Sequence, residues 1–152
     1  MANPMYGQNK ADGMTAWLQN TGEIKAHGTL AGNLTLDATD MVSHVAHTCD
    51  PAAARNVTTP TAAQIVAAME VHAGSNINVG DSFEFLFINL GTEGADESCT
   101  VVAGTGVTLV GNVEVENFDT ASDAISTGSG CFIVRVTSST NSAEAVTIIR
   151  KS

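Results

Sequence analysis

The chain contains 152 residues, of which 43% are hydrophobic and 14% are charged, and its formal net charge is -10. This length and apolar content predict a single compact domain with its own hydrophobic core, and they exclude a disordered tail or a disulfide-dependent miniprotein. Only six Lys and Arg residues are present, so we do not expect nucleic-acid binding, which depends on basic side chains that neutralise phosphates. The sequence has no apolar run long enough to span a membrane and no basic, apolar leader at its start, so we expect neither membrane insertion nor secretion.

The acidic residues are concentrated in the middle of the sequence. Residues 56–134 contain ten Asp and Glu residues and no Lys or Arg, whereas the two flanks together carry six acids and six bases. An acidic surface keeps a protein soluble, which is the simplest interpretation. The alternative is that the nearly neutral flanks form a docking surface for a partner.

The first 22 residues predict an extended N-terminal arm, followed by one domain over residues 23–152. The arm is rich in Gly, Asn and Gln and follows neither a helical nor a strand period. In residues 24–36, apolar or small side chains occupy the even positions, which predicts one or two strands. Residues 41–48 predict a further short strand.

One convincing helix is predicted, over about residues 60–70. Thr59 offers an N-cap and Pro60 a first helical position, while Ile65, Val66 and Met69 fall on one helical face. Gly74 follows the helix and ends it.

The second half of the sequence predicts a series of strands. Residues 82–90 are apolar on both faces, which is typical of a central strand. Residues 99–103 and 107–110 flank a Gly-Thr-Gly turn and predict a hairpin, and two further strands are expected at 130–138 and 143–150. We therefore predict an all-β fold, an antiparallel β-sandwich or jelly-roll-like domain with one short α-helix. A parallel sheet is not expected, since the helices that it needs as crossovers are missing.

The best candidate for metal binding is a short segment that combines imidazole, thiol and carboxylate groups: Asp40, His44, His47, Cys49 and Asp50. On a strand, however, His44 and His47 project to opposite faces because their separation is odd. No second Cys or His follows at zinc-finger spacing. We therefore predict two polar histidines on a partly exposed strand, and neither a metal site nor another cofactor.

No motif nominates a catalytic centre. Gly128-Ser129-Gly130 does not match the nucleophile elbow G-x-S-x-G, and the Gly-rich string at residues 104–111 lacks the Lys of a phosphate-binding loop. The odd number of cysteines, Cys49, Cys99 and Cys131, predicts buried thiols without a bridge in a reducing cytoplasm. We predict that the chain is not an enzyme; a small hydrolase would need Ser or Cys within about 3 Å of a His in a pocket.

Five segments in a fixed order resemble a β-rich module of tailed-bacteriophage virion surface proteins. They are the helix beginning TPTAAQIVAA, the strand VGDSFEFLFIN, the hairpin TVVAGTGVTL, and the strands FIVRVT and AVTIIR. The resemblance covers about residues 57–150. The module that it resembles occurs in capsid decoration (cement) proteins and in fibre proteins. It implies a structural protein without catalysis, made in the host cytoplasm and located on the outer capsid surface of the virion. Its implied partners are the major capsid protein and copies of itself, in a trimer.

The N-terminal arm is the predicted capsid or subunit interface, through four large apolar side chains: Met5, Tyr6, Trp17 and Leu18. Large aromatic anchors dominate binding energy at interfaces. The alternative is an arm that folds back on its own domain. A second function also stays open, that of a fibre or other ligand-binding β-module in which exposed aromatic rings stack on carbohydrate or another host-surface ligand.

Overall fold

The computed structural model describes residues 17–18, 22–91, 97–119 and 126–151. The helices in these ranges are α1 (Ala38–Ser43) and α2 (Ala62–Ala73). The strands are β1 (Trp17–Leu18), β2 (Ile24–Leu30), β3 (Leu34–Thr35), β4 (Ala46–Pro51), β5 (Arg55–Thr58), β6 (Ser82–Asn89), β7 (Cys99–Val102), β8 (Val107–Val110), β9 (Glu114–Val115), β10 (Phe118–Asp119), β11 (Ser126–Thr127), β12 (Ser129–Ser138) and β13 (Ala145–Arg150).

Helix α1 begins where the side chain of Asp37 caps it. The Asp37 carboxylate accepts hydrogen bonds from the backbone N–H groups of Thr39 (2.8 Å) and Asp40 (3.1 Å). Met41 and Val42 of this helix are buried in the core. The strand predicted over residues 41–48 is therefore wrong in its first half, because the chain is helical to Ser43 and extended only from β4 onward.

Helix α2 confirms the predicted helix, although its N-cap is Thr61 and not Thr59. Thr61 and Gln64 form a capping box, in which each side chain accepts a hydrogen bond from the other residue's backbone N–H. Thr59 is engaged elsewhere, because its N–H donates to the carbonyl of Val102 and its Oγ1 accepts from the N–H of Gly104. The helix ends at Gly74, whose φ of 65° is the left-handed conformation that glycine adopts readily.

A seven-stranded sheet, the large sheet, has the order β2-β4-β6-β12-β13-β8, with β1 also paired to β6. Strands β6, β12 and β13 are antiparallel neighbours, whereas the pairs β2/β4, β4/β6, β1/β6 and β13/β8 are parallel. The crossover from β2 to β4 passes through α1, and that from β4 to β6 passes through α2. The fold is mainly β, as predicted, but its sheets contain parallel strands, for which the two helices provide the connections.

A four-stranded sheet, the small sheet, has the order β3-β5-β7-β9, and β10 pairs with β11. The predicted hairpin of β7 and β8 is wrong, because β7 pairs with β5 and β9 in the small sheet while β8 pairs with β13 in the large one. Gly104 lets the connection pass close to the start of α2. A Cβ added at Gly104 would lie 2.4 Å from the carbonyl oxygen of Pro60, so this glycine allows a close backbone approach.

The hydrophobic core lies between one face of the large sheet, the two helices and the small sheet. Phe83, Phe85 and Phe87 of β6 are almost fully buried, and Phe85 stacks on Phe132 of β12 with 5.4 Å between ring centroids. The other layers contribute the buried side chains Met41, Ile65, Met69, Val57 and Val101. Strand β6 is the central strand that the sequence predicts. Neither helix of the described chain has the length and apolar character to cross a bilayer.

Candidate functional site

The face of the large sheet opposite the core carries a row of apolar side chains that are exposed or only half-buried. We call it the outer face, and its residues are Ile24, Leu86, Ile88, Val110, Ile133 and Ile149. Strand pairing places Ile133 beside Ile149 and Ile149 beside Val110. Ile24 is 60% exposed and Val110 46% exposed. Contiguous exposed apolar surface on a folded domain is typical of an interaction surface.

The outer face also carries charged side chains, namely exposed Arg135, two residues after Ile133 on β12, and a cluster around Glu84. Glu84 lies beside Ile133 in the sheet, and its carboxylate accepts a hydrogen bond from the thiol of Cys131 (2.6 Å) and contacts the ammonium of Lys151 (3.4 Å). Partial burial and the hydrogen bond to Glu84 raise the pKa of Cys131 to about 11. Cys131 therefore stays a thiol at neutral pH, which makes it a poor nucleophile. The Cys131 thiol is therefore unsuited to covalent chemistry, and the cluster provides polar groups for binding.

Two of the four predicted interface residues, Trp17 and Leu18, belong to the described part of the chain. The backbone of Trp17 and Leu18 forms β1, which runs parallel to β6 beside Ser82 and Phe83. Because β12 occupies one edge of this part of β6, β1 occupies the other edge. Met5 and Tyr6 lie outside the described residues. The end of the predicted arm is thus anchored to the domain by backbone pairing.

Three histidines meet where β2, β4 and α1 pack together. The Nε2 atom of His27 lies 3.1 Å from Nδ1 of His47, and the two rings stack with centroids 5.4 Å apart. His44 is 6.2 Å from His47 between centroids, and Lys25 pairs with Asp40 at 2.8 Å. His47 is fully buried, so the prediction of a polar histidine on a partly exposed strand is wrong for it.

The five candidate metal ligands do not form one site. His44 caps the C-terminus of α1, Asp50 accepts a hydrogen bond from Thr29, and Cys49 contacts Cys99 between the sheets. Within the described ranges, no group of three His, Cys, Asp or Glu side chains is placed to hold a metal ion.

A Ser–His pair within hydrogen-bond distance does occur, at Ser43 and His44. The Ser43 hydroxyl lies 3.0 Å from Nδ1 of His44 and donates to the carbonyl of Thr39, while Nδ1 also lies 3.0 Å from the carbonyl of Asp40. Because a carbonyl can only accept, Nδ1 carries the proton. It therefore cannot take a proton from Ser43, and the pair closes the end of α1 instead of forming a nucleophile and base.

His47 is expected to make the protein less stable in mild acid. Burial, followed by the neighbouring His27 and His44, lowers the pKa of His47 from 6.5 to about 4, and no hydrogen-bond partner meets its buried Nε2 atom within the described chain. Below pH 6.5 the unfolded chain binds this proton and the folded chain does not. The stabilising contribution of neutral His47 is therefore complete above pH 6.5 and is lost as the pH falls toward 4, by about 3 kcal/mol in all.

Urea unfolding at pH about 7.5 and about 4.5 measures this effect. Replacement of His47 by leucine should remove most of the difference in the free energy of unfolding between the two pH values. Val79→Ala, at an exposed position without a titratable group, should leave the pH dependence unchanged. Equal pH dependence in wild type and His47→Leu would show that the buried imidazole is not responsible. His27, whose pKa burial also lowers, acts in the same direction.

A pocket of about 670 Å³ lies between α1 and α2. Leu36, Ala68 and Val71 contribute apolar surface to it, and Val71 is 82% exposed. Two of its polar lining residues, Asp37 and Gln64, are already used to cap the helices. No Phe, Tyr or Trp of the described chain lines this pocket, so it lacks the stacking surface that is common in sugar-binding sites.

Comparisons with protein-family models, with curated proteins and with solved structures find no match for this chain.

The outer face was missed by sequence reasoning, although its signal is present in the strands. Residues 82–90 have apolar side chains at odd and at even positions. This pattern predicts a central strand that is buried on both faces. In the structure only the phenylalanine face of β6 is fully buried, and the same pattern marks an apolar surface on the other face.

Proposed function

We propose that this chain is a capsid decoration (cement) protein of a tailed bacteriophage, which binds the outer surface of the assembled head. Its partners are the major capsid protein and other copies of itself in a trimer. The observation that carries the proposal is the outer face, because several partly exposed aliphatic side chains on one sheet surface suit adhesion and require no chemistry. The order of the helix and the strands in the phage-like motifs supports the class of protein.

The outer face alone provides only weak binding. Covering the exposed part of an aliphatic side chain contributes about 1 kcal/mol, so the six residues together contribute roughly 6 kcal/mol. Association of two proteins costs about 4–15 kcal/mol in lost freedom of motion. Tight binding therefore requires several linked contacts, which a trimer on a repeating shell provides through multivalency.

In this proposal the N-terminal arm supplies the second contact. Pairing of β1 with β6 anchors the end of the arm beside the outer face's central strand. Met5 and Tyr6, which lie outside the described residues, are the side chains that we propose for contact with the capsid or with another decoration subunit. In the proposal the domain is a sandwich-like body in which two mixed sheets share one core. Because the protein binds the assembled shell and not its separated subunits, it stabilises the shell by mass action.

The proposal is tested by sedimentation of the purified protein, alone and with capsid shells that lack it. Val110→Glu, at the exposed edge of the outer face, should weaken both self-association and shell binding at least tenfold, because a buried carboxylate without a partner is costly. Val79→Glu is the matched control, since Val79 is 55% exposed and lies in the turn before β6. It should sediment like the wild type.

Deletion of residues 1–16 tests the arm and leaves β1 in place to cover the edge of β6. The truncated protein should keep its secondary structure, measured by circular dichroism, but bind shells at least tenfold less tightly because the linked contacts are lost. Undiminished shell binding would remove the arm from the proposal.

Unchanged behaviour of Val110→Glu in both sedimentation measurements would overturn the outer face as the docking surface.

The pocket between α1 and α2 favours a second candidate function, that of a ligand-binding module of a fibre. Its volume of about 670 Å³ falls within the range of small-molecule sites. Ala67 is exposed and lines this pocket, so Ala67→Trp should fill it without disturbing the sheets. Loss of shell or ligand binding in this variant, together with normal binding by Val110→Glu, would favour the second function.

A further inference from the structure

Two of the three thiols meet where the small sheet packs against the large sheet. The sulfur atoms of Cys49 on β4 and Cys99 on β7 are 3.4 Å apart, although the residues are separated by 50 positions in the sequence. Both side chains are almost fully buried, with exposed fractions of 1% and 0%. The three cysteines are free thiols in this structure.

We propose that Cys49 and Cys99 form a redox-active pair that closes to a disulfide linking the two sheets when a small disulfide such as oxidised glutathione is present. The inference depends on the cysteine geometry alone and is independent of the proposed function. It reverses the expectation from the sequence that the cysteines are inert thiols without a bridge.

The reaction proceeds by two thiol–disulfide exchanges. One protein thiolate attacks a sulfur of the oxidant and forms a mixed disulfide, and one molecule of the small thiol leaves. The second protein thiolate then attacks the protein sulfur of that mixed disulfide, and the second small thiol leaves. The two cysteines together lose two electrons and two protons, and the oxidant's disulfide is reduced to two thiols.

The geometry favours this pair over any pairing with Cys131. The Cys49 and Cys99 sulfurs must approach by about 1.3 Å to reach the length of a disulfide bond, whereas Cys131 lies on the outer face and bonds to Glu84. The strands on either side are held by backbone hydrogen bonds from Leu90 to Cys49 and from Arg55 to Ser98. Two thiols fixed so closely react as an intramolecular pair at high effective concentration.

The two thiols share one hydrogen bond, in which either sulfur can be the donor. The bond lowers the pKa of the thiol that accepts it and raises the pKa of the thiol that donates it. The accepting sulfur therefore attacks first, and the other sulfur resolves the mixed disulfide. Because both sulfurs are buried, the exchange is fastest during folding or transient opening of the junction.

The experiment uses the full-length chain with Cys131→Ser, which leaves Cys49 and Cys99 as its only cysteines. The protein is refolded from urea with either oxidised or reduced glutathione, so that burial cannot block the reaction. Free thiols are then counted in denaturant. We expect two thiols per chain from the reduced sample and none from the oxidised sample, with a mass decrease of about 2 Da.

Trypsin locates the bond unambiguously in this variant. No Lys or Arg occurs between Arg55 and Arg135, so Cys49 lies in the peptide ending at Arg55 and Cys99 in the following peptide. These two peptides should be joined in the oxidised sample and separate after reduction. The oxidised protein should melt roughly 10 °C higher than the reduced protein, since the cross-link closes a long loop.

Wild type and Cys49→Ser provide the controls. Oxidised wild type should keep one free thiol, and Cys49→Ser should form no intramolecular disulfide. Retention of two free thiols by the refolded Cys131→Ser protein, or glutathione attached to both cysteines without a bond between them, would overturn the proposal. Consumption of the Cys131 thiol in the wild type in place of the other two would do the same.

Discussion

Replacement of Phe85 by alanine is expected to lower the free energy of unfolding by about 4 kcal/mol. Phe85 is only 1% exposed, and its ring stacks on Phe132 and lies edge-on to His47 with 5.8 Å between centroids. The variant loses the burial of a large apolar side chain and leaves a cavity between the large sheet and the helices. Because β6 is paired along both edges, the backbone cannot move inward to close this cavity. Urea unfolding at neutral pH measures the loss.

Phe85→Leu and Val79→Ala define the scale for this measurement. The leucine variant keeps most of the apolar volume and should lose about half as much free energy or less. The alanine variant at exposed Val79 should change stability by about 0.5 kcal/mol at most. A loss below about 1 kcal/mol in Phe85→Ala would mean that the core repacks around the missing ring.

Asn89→Ala should destabilise the protein by a comparable amount, about 3–5 kcal/mol, through polar groups and not through packing. Asn89 is 2% exposed at the end of β6. Its Nδ2 donates to the carbonyls of Glu97 (2.6 Å) and Val115 (3.0 Å), and its Oδ1 accepts from the N–H of Gly91 (2.8 Å). Alanine removes this partner from one buried backbone group, the carbonyl of Val115, and from two partly buried ones. An orphaned buried group costs about 1–3 kcal/mol.

Asn33→Ala is the matched control, because Asn33 is exposed and accepts one hydrogen bond, from the N–H of Asn56. It should cost less than about 1 kcal/mol in the same urea titration. Asn89→Asp, which keeps the size and one acceptor but loses both donors, should resemble Asn89→Ala. A stable Asn89→Asp protein would show that the carbonyls of Glu97 and Val115 find other partners. The packing at the end of β6 would then not depend on the Asn89 amide.

Local sequence signals predicted the elements whose side-chain period is long and undisturbed. The phenylalanine alternation of β6 and the apolar runs of β12 and β13 identified these strands within a residue or two, and the apolar face of Ile65 and Met69 identified α2. These features depend on neighbours in the chain, so a local pattern is sufficient to find them.

The remaining elements depend on contacts between distant segments. Helix α1 has only six residues, and its apolar Met41 and Val42 fit a strand period equally well. The glycines near residue 104 indicate a turn. They do not show that this turn lies against the Pro60 carbonyl, or that it connects β7 of the small sheet to β8 of the large sheet. Pairing between β8 and β13 spans more than 35 residues, and no local signal specifies it.

The candidate sites follow the same division. The outer face could be found from the alternation of residues 82–90 once one face was known to be covered by helices. The histidine cluster and the Cys49–Cys99 contact could not, because each joins side chains from different strands or helices. The odd spacing of His44 and His47 predicts opposite faces only on a strand, and the chain is not a strand at His44, where helix α1 ends.

The order of strands in the large sheet has a consequence for biosynthesis. Strands β12 and β13 occupy the middle of that sheet, yet they emerge from the ribosome after the other described strands. Until then β6 lacks its antiparallel neighbour and β8 has no neighbour in the described sheet at all. Pairing across such distances is slow, and uncovered strand edges adhere to other nascent chains. A message that stops translation after β8 should therefore yield insoluble chains and not a smaller folded domain.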